Sequence, residues 1–289
     1  MEMNERLSVL LQEAGAVSFG AIGIHSVEET EWERFEQWLR HGMHAGMAYM
    51  ENYPEIRKDP RLLLPGSRSI ISVAFNYRQP NPYRGVATYA LGEDYHKVLR
   101  DRLKKVTNEM RKEYGGDWRV CIDSAPVLER YWALECGVGF RSPAHGNIVV
   151  PGVGSMVFLA EIITTLAIEM PGKYKDLEPC EMSGGRGACP TGALQEDGTV
   201  DSRRCINYLT IEKKEPLTAE EKRMVGDVIF GCDLCQRGCV ENQMESVSVI
   251  PEFHPMPGLD DFMAGRGENF DIKKSPLSRS LYLRNTKKC

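Results

Sequence analysis

No stretch of this 289-residue sequence is apolar for long enough to cross a bilayer. The longest candidate, MVFLAEIITTLAI at 156–168, is too short and is broken by an acid and two threonines. There is no excess of positive charge: the net charge is −5 and the pI near 5.8, so bulk charge gives no reason to expect nucleic-acid binding. The first residues, MEMNERLS, lack the shape of a secretory leader. Low-complexity tracts and internal repeats are also missing, apart from a half-retained cysteine motif. Only one Cys-x-x-Cys pair occurs, Cys232 and Cys235, which weakens a four-thiolate zinc site. Together these absences lead us to expect a soluble, cytoplasmic protein with no membrane partner. At 42% hydrophobic content the chain can build one large domain or two smaller ones.

Cysteine is what the sequence does have, and in one place. Six of its nine cysteines lie between 180 and 239: Cys180, Cys189, Cys205, Cys232, Cys235 and Cys239. Thiolates hold iron–sulfur clusters, and bacterial ferredoxins end a ligand run on Cys-Pro, as Cys189-Pro190 does here. Cys232-x-x-Cys235-x-x-x-Cys239 repeats the spacing of such a run. The competing readings are a structural zinc site and a disulfide framework. The three-residue spacing before Cys239 is unusual for zinc, and free cysteines elsewhere argue against an oxidising compartment. Iron–sulfur binding is the favoured reading.

Elsewhere the pattern is that of a mixed α and β domain. Residues 3–14 place Leu7, Leu10 and Leu11 on one helical face, and Gly15 ends it. Ser18–Ile24 reads as a short strand. The helix 28–40 carries Trp32, Phe35 and Trp38 for burial, and 69–77 reads as a buried strand. Asp94 is a plausible N-cap for a helix from Tyr95 to about Tyr114, with Leu99, Leu103 and Val106 inward. A histidine in such a first turn, His96, is ordinarily a surface residue. The strand 118–123 ends on Asp123, and Ser124 to Arg130 reads as the start of a helix with Pro126 in its first turn. A carboxylate there is either a helix cap or a group on the rim where active sites of α/β folds gather. Gly154-Ser155 opens a strand apolar on both faces.

Several of these strings resemble the epoxyqueuosine reductase family: ACPTGAL, Asp201-Ser202-Arg203-Arg204-Cys205, NYLTIE, IFGCDLCQ, Tyr89-Ala-Leu-Gly-Glu-Asp-Tyr95-His96, and Asp123-Ser-Ala-Pro-Val-Leu-Glu-Arg130. The resemblance runs from about residue 40 to 288. It implies an α/β (α+β) N-terminal domain of the reductive-dehalogenase type, which we place at 1–170. A small ferredoxin-like [4Fe-4S] domain at 171–246 and a C-terminal segment at 247–289 would follow. It implies cobalamin as cofactor, bound near Tyr89, Tyr95, His96, Asp123 and Asn207, with a Gly-Met-x-Tyr step at 46–49 close by. Asp123 would be the proton donor. One cluster would take Cys189, Cys205, Cys232 and Cys235. The family's second cluster takes a Cys-x-x-Cys-x-x-Cys run before the Cys-Pro, plus a cysteine at the position of Cys239. Here that run is replaced by Pro179-Cys180-Glu181-Met182-Ser183, so only Cys180 and Cys239 remain and one cluster is expected. The family's lysine-bearing loop is likewise rebuilt at 139–147. The implied reaction reduces epoxyqueuosine in tRNA to queuosine, with a flavodoxin or ferredoxin as electron donor and the protein acting as a monomer. Arg279 and Arg284 in the basic end would meet RNA phosphate. The alternative is a single-cluster corrinoid-binding or electron-transfer paralogue with another substrate; a non-enzymatic metal-binding protein is less compatible with the intact strings.

Overall fold

The structure is a computed structural model that describes residues 2–142, 145–175, 189–243, 246–265 and 271–279. Its elements in chain order are α1 (Met3–Glu13), β1 (Ser18–Gly23), α2 (Glu29–Arg40), α3 (Pro54–Lys58), β2 (Ser69–Asn76), α4 (Tyr95–Tyr114), β3 (Trp118–Cys121), α5 (Glu129–Glu135), β4 (Phe140–Arg141), β5 (Ile148–Val149) and β6 (Val157–Thr164). After them come α6 (Ile206–Ile211), α7 (Ala219–Val225), α8 (Leu234–Arg237) and α9 (Leu259–Met263).

The strands expected at 18–24, 69–77 and 118–123, with the one after Gly154, make a single sheet in the order β1-β2-β6-β3. Every pairing in it is antiparallel. The rim rule for parallel α/β sheets therefore does not place Asp123, and its position must come from local geometry. β2 is buried along its whole length and β6 along most of it, because helices cover both faces. On one face α1 and α4 lay Leu7, Leu11, Leu99, Leu103 and Met110 against Ile71, Val73, Phe75 and Ile162. On the other, Trp32 of α2 and Tyr131 and Trp132 of α5 pack on Ile22, Ile70 and Ile163. Phe35 and Trp38, expected in the core, are half-buried, and Trp38 donates its indole N–H to the Val200 carbonyl at 2.8 Å.

Two expectations about α5 are corrected. β3 ends at Cys121, and the helix begins at Glu129 with Leu128 in the capping position. Residues 122–128 form an irregular loop: Pro126 lacks an N–H, and the residue before a proline is pushed out of helical geometry.

The cysteine segment docks on this frame by main-chain contacts. The Ala87 N–H donates to the Phe230 carbonyl at 2.9 Å, and the Ile229 N–H to Gly85 at 2.7 Å. Val86, Leu91 and Phe230 share one apolar cluster with Leu259 and Leu277. At Gly231, φ is +68°, and a Cβ would lie 2.7 Å from that of Ala87 and 3.0 Å from the Tyr89 hydroxyl. Glycine is required where the Tyr89 loop crosses the start of the Cys232 segment. Among the described residues, no helix is long and apolar enough to cross a membrane.

Candidate active site and metal centre

Asp94 caps α4 by accepting the His96 N–H at 3.0 Å. The same oxygen lies 2.7 Å from His96 Nδ1, while His96 Nε2 lies 2.8 Å from Asp123 Oδ2. His96 is 8% exposed, so it is an inward residue and not the surface histidine its first-turn position suggests. An imidazole facing a carboxylate at each nitrogen donates to both only when protonated. Burial pulls its pKa down, but the hydrogen bonds and charges of Asp123 and Asp94 outweigh it, and the net shift is upward. The Tyr95 ring stacks on His96 with centroids 4.0 Å apart and on Phe158 at 4.1 Å. Tyr89 meets Tyr95 edge-on at 6.5 Å. Tyr89, Tyr95 and His96 thus form one wall. At its end the Asp123 side chain is 55% exposed, with one oxygen engaging His96.

Asp123 itself sits in the left-handed region, φ +50°. Such backbone costs on the order of 1–3 kcal/mol for a residue with a side chain, less for aspartate than for most. The Ser124 N–H donates back to the Ile122 carbonyl at 2.5 Å, closing a tight γ-turn around Asp123. The Asp123 N–H donates to Glu129 Oε1 at 2.6 Å. Asp123 is therefore not the cap of α5; its carboxylate belongs to His96. Burial and the Asp123 charge raise the Glu129 pKa to about 8, against the opposing Asp123 N–H. Glu161 in β6 is fully buried and bonded to the Ser72 hydroxyl at 3.2 Å. Burial, then the charge of Glu129, holds it well above the usual carboxylate range. Neither acid was anticipated from the sequence. The one available signal was a glutamate interrupting the apolar run 156–168.

Tyr49 stands on the same side: burial raises its pKa, followed by the charges of Glu212 and Asp123. Arg57, buried, fixes this loop by donating to the Asn52 and Tyr49 carbonyls at 3.0 Å each. The Gly46 N–H donates to the Tyr208 hydroxyl at 2.9 Å, which ties the loop to α6.

The second centre is built of thiols. Cys205 caps α6, and Cys232 and Cys235 flank the start of α8. Burial raises the pKa of Cys205, of Cys232 to about 11 and of Cys235 to about 12, and the thiols add to this by mutual repulsion. Cys235 feels Cys232, Cys205 and Cys189 electrostatically, so the four thiols lie in one neighbourhood. Burial also works on Cys189, but the Thr191 hydroxyl and the N–H groups of Thr191, Ala193 and Leu194 outweigh it and lower its pKa. The Tyr208 and Asn207 N–H groups face Cys205, and that of Leu234 faces Cys232. Asn207, half-buried on α6, thus sits at the thiol site; nothing places its side chain against the aromatic wall. Among the described residues, no three histidine, cysteine or acidic side chains converge closely enough for a single metal ion. Four separated thiols with N–H donors suit a cluster, whose ligands stand further apart than those of one ion. Cys239 is not part of this set: it is 6% exposed and packs on Phe140 and Val149. Cys180, Arg284 and the side chain of Arg279 lie outside the described residues.

Two family models match the chain. Residues 57–124 match "Epoxyqueuosine reductase QueG, DUF1730", and residues 186–242 match "4Fe-4S double cluster binding domain". The epoxyqueuosine reductase of Leadbetterella byssophila is 36% identical over 86% of this chain and 84% of its own length. That of Cyclobacterium marinum is 33% identical over 96% and 94%, and that of Escherichia coli 34% over 93% and 75%. Among solved structures, an epoxyqueuosine reductase with an epoxyqueuosine-modified tRNA-Tyr stem loop superposes with a TM-score of 0.79. It is 28% identical and covers 88% of this chain and 69% of that one. The Streptococcus thermophilus enzyme has a TM-score of 0.76 at 26% identity, covering 99% and 78%. The chain belongs to the epoxyqueuosine reductase family.

Proposed function

We propose that this protein reduces the epoxide of epoxyqueuosine in tRNA to the alkene of queuosine. It would use cobalamin and a single [4Fe-4S] cluster held by Cys189, Cys205, Cys232 and Cys235. The overall change consumes two electrons and two protons and releases the epoxide oxygen as water. The observation that carries the reading is the Asp94–His96–Asp123 array, which ends in an open carboxylate beside the Tyr89–Tyr95 wall.

The residues fit both groups. Four thiols with N–H donors suit the cluster, and ligation requires that they lose their protons, so assembly should release protons. An aromatic wall with an exposed acid at its rim suits a corrinoid. When bound, the corrinoid supplies a strongly reducing, nucleophilic metal and the cluster supplies electrons one at a time. The protein's own work is to bind, orient and move a proton. Asp123 Oδ2 shares a proton with His96 Nε2, and Asp94 holds the other ring nitrogen so that the proton is kept at this end. Asp123 delivers it to the departing oxygen as general acid, and His96 restores it. Tyr89 adjoins Gly231, one residue before Cys232, so the wall and the cluster segment touch. Asn207, beside Cys205, stands where α6 could meet the cofactor's edge. A flavodoxin- or ferredoxin-type protein is the fitting donor, and Arg279 and Arg284 the fitting contacts for tRNA phosphate.

The test is anaerobic turnover of a tRNA stem loop containing epoxyqueuosine, with cobalamin and a chemical reductant added. Product should lose one oxygen by mass. Failure to convert it, with iron and cobalt both present in the protein, would leave the electron-transfer paralogue as the better reading.

A further inference from the structure

The main chain of Asp123 is turned against its preference. It has φ +50° and a γ-turn closed from Ser124 to Ile122, and its own N–H is directed at a side chain six residues on. No regular element supports this: β3 has ended at Cys121 and α5 has not begun. The group that receives this N–H is Glu129 Oε1, at 2.6 Å, on the first residue of α5. Glu129 is anchored from below. Its helix packs on the sheet through Tyr131 and Trp132.

We infer that Glu129 is a positioning residue for the reduction. Its carboxyl oxygen, by accepting the Asp123 N–H, holds the 122–128 loop in the turn that presents the Asp123 carboxylate to His96 and to substrate. The inference rests on Asp123 being the acid of the proposed reaction. What it requires of Glu129 is an acceptor at one place, not a charge. This agrees with the raised pKa of Glu129, since a neutral carboxyl accepts the N–H through its carbonyl oxygen.

The substitutions separate reach, acceptor and charge. Glu129→Gln keeps length and the accepting oxygen. Glu129→Asp keeps the carboxyl group but is one methylene too short. Glu129→Met keeps the length and removes the acceptor. Amide hydrogen exchange of the peptide 119–127 reads the loop without turnover, so it judges the latch even if the enzyme proves to act on another substrate. Expected are exchange near wild type in the glutamine variant and roughly tenfold faster exchange in the aspartate and methionine variants. In turnover, kcat should fall by about 10²-fold in the latter two with KM for the stem loop within about threefold, as misplacing a reacting group does. Cobalt and iron content should be unchanged. Asp123→Asn combined with Glu129→Met should be no slower than Asp123→Asn alone, because Glu129 acts only through Asp123. If the methionine variant fails to fold, the aspartate variant decides. Wild-type exchange in the aspartate variant, or losses that multiply in the double variant, would overturn the inference.

Discussion

His96 carries a carboxylate at each ring nitrogen, and this sets its charge and its pH dependence. Its folded pKa lies above the ordinary value near 6.5, despite burial, because Asp123 and Asp94 favour the imidazolium. A raised histidine pKa contributes stability that is fully present below the unfolded value and lost as pH rises through the folded one. The stability gap between wild type and His96→Gln should therefore be widest between about pH 5 and 6.5 and should shrink above it. Urea midpoints across that range would show it, and a gap that widens with pH would contradict the assignment. At Asp123 the expectation is chemical. Asp123→Asn retains size and some hydrogen bonding but cannot donate an acid proton, so turnover should fall by about 10²–10⁴-fold. Cluster content should be untouched, because Asp123 is not one of the four cysteines of the thiol site. Activity within threefold of wild type over several pH values would remove Asp123 from the reaction.

At the scale of an element, α4 does two jobs through one residue. Asp94 accepts the His96 N–H as a helix cap and holds the imidazole Nδ1 with the same oxygen. Asp94→Ala should cost about 1 kcal/mol from the lost cap, with more from the orphaned imidazolium. Asp94→Asn caps nearly as well, so its unfolding midpoint should stay near wild type, yet it removes one of the two charges that keep His96 protonated. The predicted signature is stability restored while the alkaline limb of the pH–rate profile moves to lower pH. If that limb stays in place in the asparagine variant, His96 is not the group that restores the proton. α5 shows the complementary case. Its late start at Glu129 leaves a loop in which a strained aspartate can turn its carboxylate outward; a helix from Ser124 would have straightened that segment.

For the whole molecule the question is how many clusters it carries. Its second half matches a double-cluster model, yet one complete set of four cysteines is at hand and Cys239 is packed against Phe140 and Val149. Anaerobic reconstitution should give about four irons per chain. Cys235→Ala should lose most of that iron. Cys239→Ala should keep it and lose only packing, about 1 kcal/mol or less for so small a side chain. Seven or eight irons, with Cys180 and Cys239 both required, would restore the second cluster.

Periodicity alone marked α1, α2, α4 and the buried strands, because an amphipathic stripe and an apolar run are properties of neighbours in the chain. The cysteine spacing likewise pointed to a cluster, and the strings around His96 and Asp123 to a family. Tertiary structure decided how those residues are brought together. His96 and Asp123 are 27 positions apart and meet only because α4 and β3 lie side by side. The antiparallel order of the sheet, the burial of Glu161 and the turn at Asp123 all depend on pairings and packing between distant segments. Glu129 illustrates the limit. In the sequence it is the first-turn acid of a helix, an ordinary helix-dipole residue. Its hydrogen bond to the Asp123 main chain exists only because Pro126 delays the helix and the sheet beneath holds α5 in place.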